Sequence, residues 1–209
     1  DREATYGVVI HWTAGHAAGD VATLTGGNVD VQFYVTKSGK VYQFMDSDSQ
    51  AWHGFSTANH YMVGIEHEGS GEAWTPAQYD ASVKLSAWLS KQYSIPVRHI
   101  DPSGDNFPNS FKGFCGHKDL SVGGVRVDSN DHTDTVPDDP GWNKYIAAIY
   151  DAANPPPPKV IRYYFEIPAL GPKAVWGPYN SKLVRNIKRK LKEMETGEQA
   201  RDYSQVENK

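Results

Sequence analysis

Eight histidines are the most unusual feature of this 209-residue chain, because imidazole is the commonest neutral metal ligand and titrates near neutral pH. His11 ends an apolar run, and His117 follows Gly116 in a similar run-to-turn setting, so the two side chains could converge on one metal ion. The histidines form no compact His-Glu-X-X-His pattern. Their spacing alone leaves two interpretations open, a metal site or ordinary structural and solvated histidines. They lie at positions 11, 16, 53, 60, 67, 99, 117 and 132.

Short apolar segments predict the strands that would position these side chains. Residues Tyr6–Trp12 are typical of a buried strand that ends near His11. Residues Val31–Phe44 form two apolar runs around Lys37-Ser38-Gly39-Lys40, which favours a hairpin. A third strand is predicted over Val63–Glu68. Because side chains alternate along a strand, one of its faces would carry Val63, Ile65 and His67, and the other Gly64, Glu66 and Glu68.

Helices are predicted between and after these strands. Thr75-Pro76 is typical of a helix start, and apolar residues then recur every four positions until the helix ends before Ile95-Pro96. Residues Gly113–Leu120 predict a short strand running into a turn, after a Pro- and Gly-rich loop. A final helix is predicted over Asn143–Ala153. The apolar faces of the two helices would be Ala81, Leu85, Leu89 and Tyr93, and Tyr145, Ile146, Ile149, Tyr150 and Ala153. The sequence thus predicts an α/β fold, a mixed central β-sheet flanked by helices.

Composition predicts two parts that differ in charge. Asn154 and the four prolines after it, residues 154–158, favour an extended linker. Residues 1–158 hold 10 basic and 19 acidic side chains, whereas residues 159–209 hold 11 and 6. We therefore expect a catalytic domain over 1–153, a Pro-rich linker over 154–158, and a small basic C-terminal region over 159–209. That region predicts a strand over 160–167 and a helix over 181–194, for which wall binding, oligomerisation and a basic tail remain alternatives.

The overall composition also excludes several classes of partner. The formal net charge of −4 gives no basic field that would favour nucleic acid. No run of 18 apolar residues occurs, so we expect a soluble protein without membrane insertion. Cys115 is the single cysteine, which excludes an internal disulfide.

Five short sequence segments, taken in order, resemble one known family. They are VVIHWTAG (8–15), AWHG (51–54), VGIEHEG (63–69), CGHKDL (115–120), and the His-Thr-Asp and Asp-Pro-Gly motifs within 132–141. Together they resemble the type 2, zinc-dependent N-acetylmuramoyl-L-alanine amidases over about residues 6 to 153. That family shares its fold with the peptidoglycan recognition proteins and includes many phage endolysins.

The resemblance implies a Zn²⁺ ion held by two histidines and one further ligand, with water in the fourth position. His11 and His117 match the histidine ligands. The third ligand would be Asp134 or Asp139, because the family's continuous His-Thr-Asp-Pro-Gly stretch is split in this chain. We prefer Asp134, since only Asp134 keeps a histidine, His132, two residues upstream.

The resemblance also implies roles around the metal ion. Glu66 matches the catalytic glutamate that takes the proton of the attacking water, and Glu68 is the alternative. His132 would donate a hydrogen bond to the developing oxyanion. Trp52, His53 and Tyr34 are expected to contact the substrate. Cys115 would be a small core residue under the site, with a thiolate ligand as the less favoured alternative.

These matches imply a hydrolase that cleaves the amide bond between N-acetylmuramic acid and L-alanine in bacterial peptidoglycan. The alternative is a peptidoglycan recognition module of the same fold that binds without catalysis. For a phage endolysin, we expect a monomer that stays in the host cytoplasm until a holin-like partner opens the membrane. A secreted bacterial autolysin whose leader has been removed is the other interpretation.

Overall fold

The computed structural model describes residues 2, 4–26, 30–101, 105, 110–120 and 133–156. Five strands form one sheet in the order β3-β2-β4-β1-β5, with β2 and β3 antiparallel and the other pairs parallel. The strands are β1 (Gly7–Trp12), β2 (Phe33–Val35), β3 (Val41–Gln43), β4 (Met62–His67) and β5 (Gly113–Gly116). The helices are α1 (Ala17–Leu24), α2 (Phe55–Tyr61), α3 (Pro76–Tyr93), α4 (His117–Leu120) and α5 (Gly141–Ala153). The predicted mixed sheet flanked by helices is confirmed.

One face of the sheet carries the main apolar core. Alternate residues of β1, β4 and β2 point to this face, where α3 and α5 cover them. The strand members of this core are Val8, Ile10, Phe33, Val35, Val63, Ile65 and Phe114. The predicted helix start is also confirmed, because the Thr75 side chain accepts a hydrogen bond from the backbone N–H of Gln78 at 3.1 Å.

The buried faces of the two long helices differ in part from the prediction. Along α3, Leu89 is buried and Ala81, Leu85 and Tyr93 pack partly buried against the core, but four of the seven buried residues are polar. The buried polar members are Gln78, Ser82, Ser86 and Ser90. On α5, Tyr145, Ile149 and Ala153 are buried, but Tyr150 is 58% exposed. Tyr150 follows Ile149 by one position, about 100° around the helix, so both cannot face the sheet.

Two short helices, α1 and α2, were not predicted from the sequence, and the short helix α4 forms where a turn was expected. The strand expected over 160–167 and the helix expected over 181–194 lie outside the described residues. Backbone contacts divide the chain into residues 1–155 and 156–209, and the predicted linker and C-terminal region stay predictions. Among the helices the structure describes, none has the length and apolar character needed to cross a membrane.

Candidate metal centre

Three parallel strands bring polar side chains together near their carboxyl ends. Tyr34, Glu66 and His11 are register partners across β2, β4 and β1. Partners in adjacent strands point to the same face, which is the face opposite Ile10 and Ile65. The turn after β5 adds His117, the first residue of α4. Parallel pairing therefore explains how residues distant in the chain reach one edge of the sheet.

His11, His117 and Asp134 form a buried cluster at this edge. Asp134 Oδ2 lies 2.9 Å from His11 Nδ1 and 3.1 Å from His117 Nδ1. One ligand atom from each residue lies within 4.8 Å of the other two. Burial opposes ionisation of Asp134, but hydrogen bonding to the two histidines outweighs it and holds the pKa of this carboxyl well below its usual range. The carboxylate is therefore charged at neutral pH.

The chemistry of these atoms fits a metal ion. A carboxylate oxygen and a deprotonated imidazole nitrogen are both acceptors, so atoms this close need a proton or a cation between them. Two imidazoles and one carboxylate form a ligand set typical of catalytic zinc, in which the fourth position stays open to water. Within the described part of the chain, these residues are the group of His, Cys, Asp or Glu side chains close enough to bind a metal.

Glu66 lies beside this cluster and differs from every other acid in the site. Its Oε2 atom is buried and has no hydrogen-bond partner among the described residues. Burial raises the pKa of Glu66 from 4.5 to about 8, and the nearby carboxylates of Asp134 and Asp20 add to the rise. A carboxyl group with this pKa can exchange a proton near neutral pH.

Glu68, the alternative to Glu66, has a different role in the structure. Its two carboxylate oxygens accept hydrogen bonds from the backbone N–H groups of Ala17 at 3.2 Å and Lys37 at 2.7 Å. It thereby joins the start of α1 to the hairpin.

A chain of hydrogen bonds links the backbone carbonyl of His11 to side chains on the core face of the sheet. His67 Nδ1 donates to the His11 carbonyl at 3.0 Å, and His67 Nε2 lies 2.8 Å from Ser82 Oγ. The Tyr145 hydroxyl lies 2.6 Å from Ser82 Oγ and 2.7 Å from Ser86 Oγ. Burial lowers the pKa of His67 to about 3, so its ring stays neutral. The polar stripe of α3 therefore pairs with groups beneath the metal centre.

Asp134 is positioned by the segment around α4. Its carbonyl accepts the N–H of Lys118 at 3.2 Å. The next residue, Thr135, accepts the Trp142 indole N–H at 3.1 Å and packs where a side chain on Gly116 would lie. Trp142 in turn stacks on His99 with ring centroids 4.0 Å apart.

The remaining predicted site residues occupy different environments. The Asp139 side chain is 80% exposed and lies 3.7 Å from Lys144, so the structure groups Asp134, and not Asp139, with the two histidines. Trp52 is 66% exposed. Tyr34 is fully buried and donates to Asp20 Oδ2 at 2.7 Å, which leaves it no surface for substrate. His132 lies outside the described residues.

His53 is also buried, and its Nδ1 lies 3.1 Å from His11 Nε2. Burial, followed by the neighbouring His11, lowers the pKa of His53 well below its usual range. Cys115 is a fully buried core residue next to Val9 and Leu120, as expected. Burial raises the pKa of its thiol well above the usual value.

Sequence reasoning missed Asp20 and the Ser82 network. Asp20 is buried and accepts hydrogen bonds from Tyr34 and from the Thr13 hydroxyl at 2.7 Å. No local pattern marks it. The repeat of small polar residues every four positions along α3 could have indicated the buried polar stripe.

Comparisons with known proteins point to one family. Residues 1–141 match the family model described as N-acetylmuramoyl-L-alanine amidase. No curated protein matches the chain by sequence. The structure is similar to that of the Staphylococcus aureus hydrolase AmiA in complex with its ligand, at 13% identity and a TM-score of 0.55, over 72% of this chain and 73% of that one.

A second similar structure is the N-acetylmuramyl-L-alanine amidase AmiD from E. coli in complex with anhydro-N-acetylmuramic acid-L-Ala-D-gamma-Glu-L-Lys. It is 20% identical, with a TM-score of 0.45, over 62% of this chain and 53% of that one. The likeness to AmiA shows the shared fold, and the family match covers the strands, the helices before α5 and the cluster of His11, His117 and Asp134. The chain therefore belongs to the N-acetylmuramoyl-L-alanine amidase family.

Proposed function

We propose that this protein hydrolyses the amide bond between N-acetylmuramic acid and the L-alanine of the peptidoglycan stem peptide. The observation that carries the proposal is the buried group of His11, His117 and Asp134 beside Glu66 Oε2, which has no hydrogen-bond partner in the described part of the chain. We propose Zn²⁺ as the ion, with these three residues as its ligands. When bound, zinc lowers the pKa of a coordinated water to about 7 and polarises a carbonyl group.

Glu66 is the residue that moves protons in this proposal. In the metal-free protein its raised pKa favours the neutral acid at pH 7. A divalent cation next to it favours the ionised form, so Glu66 can accept the proton of the attacking water. The same carboxyl group can then protonate the departing amine of L-alanine. Its Oε2 atom makes no competing hydrogen bond with the described residues.

Two further residues complete the proposed reaction site. His132 is proposed to donate a hydrogen bond to the developing oxyanion. Trp52 exposes a large apolar ring next in sequence to His53, and such a ring is suited to pack against a sugar of the glycan strand.

The test is mass spectrometry of purified peptidoglycan after incubation with the full chain, with zinc or with a strong chelator. We expect new L-alanine amino termini with zinc and none with chelator. Glu66→Gln should bind the sacculus without producing them. Binding of the wild-type protein with no new ends in any tube would identify a recognition module instead.

We further propose that the biological role is that of a phage endolysin, with residues 159–209 binding the cell wall. Their net charge of +5 suits an acidic envelope. Replacing Lys188, Arg189 and Lys190 by Gln in the full chain should weaken sacculus binding and leave cleavage of soluble muropeptides unchanged. Lysis from inside a bacterium should need a holin-like protein. Lysis without one would contradict the endolysin role.

A further inference from the structure

His53 lies between the proposed metal ligand His11 and the main chain of β4. Its Nδ1 atom lies 3.1 Å from His11 Nε2, and its Nε2 atom lies 3.1 Å from the Met62 carbonyl oxygen. The ring packs on Gly64, where even a Cβ atom would come within 2.6 Å of His53 Cγ. The Asn59 side chain accepts the backbone N–H of His53 at 2.9 Å. The position of the imidazole is therefore closely defined.

The chemistry of the partners sets the direction of these hydrogen bonds. A carbonyl oxygen can only accept, so His53 Nε2 must carry the hydrogen that it donates to Met62. A buried, neutral imidazole carries one hydrogen, which leaves His53 Nδ1 as an acceptor. The group that faces it, His11 Nε2, must therefore be the donor. The proton on His11 Nε2 is required whether or not His11 also carries one on Nδ1.

We propose that His53 is a positioning residue that keeps a proton on Nε2 of His11 and thereby leaves Nδ1 as the nitrogen presented to the metal. His11 Nδ1 is the atom that faces Asp134 Oδ2 at 2.9 Å. This inference rests on the proposed zinc site. It replaces the substrate contact expected for His53 from the sequence, because the residue is only 6% exposed. Residues that orient a metal-bound histidine in this way raise metal affinity.

Three variants of the full chain separate this role from simple packing. His53→Phe keeps a ring of similar shape but removes the acceptor for His11. His53→Asn places an amide oxygen near the position of Nδ1, so it restores the acceptor while losing the hydrogen bond to Met62. His60→Phe makes the same chemical change at an exposed position of α2 and serves as the matched control.

The first readout is the tautomer of His11 in metal-free protein, measured by long-range ¹H–¹⁵N correlation NMR of the imidazoles. We expect a protonated Nε2 in wild type, in His53→Asn and in His60→Phe. In His53→Phe the neutral ring should instead carry its proton on Nδ1, where Asp134 can accept it. An unprotonated Nε2 of His11 in the wild type would overturn the proposal, and this result does not depend on any variant folding. A folded His53→Phe variant whose His11 has the same tautomer as in the wild type would also overturn it.

The second readout is zinc affinity, measured by competition with a chromophoric chelator. We expect His53→Phe to bind zinc about 10- to 100-fold more weakly, His53→Asn to recover most of the loss, and His60→Phe to match wild type. Equal affinity of His53→Phe and wild type would overturn the role of His53 alone. A wild-type chain that binds no zinc would overturn the proposed function, and the metal-binding role of His53 with it.

Discussion

The two faces of the central sheet carry different kinds of side chain on the same strands. On the face covered by α3 and α5, most buried strand side chains are apolar and burial itself stabilises them, and the buried His67 is hydrogen-bonded. On the opposite face the same strands carry Tyr34, Glu66 and His11 in one row. Buried polar groups cost free energy unless they are paired, and Tyr34 and His11 are each bonded to a neighbour. Glu66 Oε2 is the exception in this row, since it has no hydrogen-bond partner among the described residues.

The apolar residues that stabilise the fold and the polar residues proposed to act in catalysis therefore lie on opposite faces of the same strands. Ile65 and Glu66 are adjacent in β4 but point to opposite faces. Substitutions of apolar residues on one face should change stability without changing the chemistry, whereas substitutions of the polar residues on the other face should change the chemistry.

The largest effect is expected for Asp134→Ala, which removes one of three proposed ligands. Zinc affinity should fall by more than the roughly 100-fold that marks loss of a supporting residue, and hydrolysis should be lost. Equilibrium binding of zinc is the measurement. Asp139→Ala is the control, since that side chain is 80% exposed. Unchanged zinc affinity in Asp134→Ala would contradict the assignment.

Glu66→Gln should lower kcat about 10²- to 10⁴-fold, because the amide cannot accept the proton of water. Zinc affinity should stay near wild type. The control is Glu68→Gln, which should retain measurable turnover and lose stability, since Glu68 bonds the backbone of Ala17 and Lys37. A greater loss of kcat in Glu68→Gln would transfer the role of base to Glu68.

The free energy of unfolding of the metal-free protein should depend on pH through Glu66. Its folded pKa of about 8 lies above the ordinary 4.5, so its contribution is fully present below pH 4.5 and lost as pH rises to about 8. The size of this pKa shift sets an upper bound of about 5 kcal/mol on the change that Glu66 makes to the free energy of unfolding. Buried His53 and His67, whose pKa values are lowered, act in the opposite direction.

The difference between wild type and Glu66→Gln therefore isolates this contribution. Chemical denaturation in chelator at several pH values measures it. A difference that does not change between pH 4.5 and 8 would mean that the carboxyl group of Glu66 is not desolvated as the buried Oε2 atom indicates.

Ile65→Ala tests the apolar face at the position next to Glu66. Loss of a fully buried side chain should cost about 2–5 kcal/mol of unfolding free energy. Zinc affinity and kcat of the folded protein should be unchanged at low temperature. A large loss of zinc affinity in the folded variant would show that the two faces are not independent.

The smallest effect on stability is expected for Trp52→Ala, at most about 0.5 kcal/mol, because its side chain is 66% exposed. KM for glycan-containing substrate should rise. Trp88→Ala, 46% exposed on α3, is the control and should leave KM unchanged. Equal KM in Trp52→Ala and wild type would remove Trp52 from the substrate site.

Much of the fold could be predicted because its signals are local. Short apolar, β-branched runs predicted β1 and β4, and Thr75-Pro76 predicted the start of α3. The helices α1 and α2 were missed because Ala17–Leu24 and Phe55–Tyr61 have weak helical patterns, and short helices depend on tertiary contacts. The polar stripe of α3 was missed because a buried serine is stabilised by partners on another element, such as Tyr145.

The candidate site could also be predicted only in part. Short sequence motifs around His11, Glu66 and His117 were sufficient to select these residues as candidates. They did not decide between Asp134 and Asp139, which both follow in a turn-rich segment. The structure groups Asp134 with His11, 123 residues away in sequence. The sequence also suggested a substrate contact for His53, whereas the structure turns that ring toward His11.

By itself, the sequence determined the strands, the alternation of their faces, the charge asymmetry and the residue types available for metal chemistry, because these follow from preferences of neighbouring residues. Only the tertiary structure decided which carboxylate joins the histidines, which nitrogen of His11 faces it, and why Glu66 has a raised pKa. Those properties depend on distances, burial and hydrogen-bond direction between segments that meet only when the parallel strands have paired.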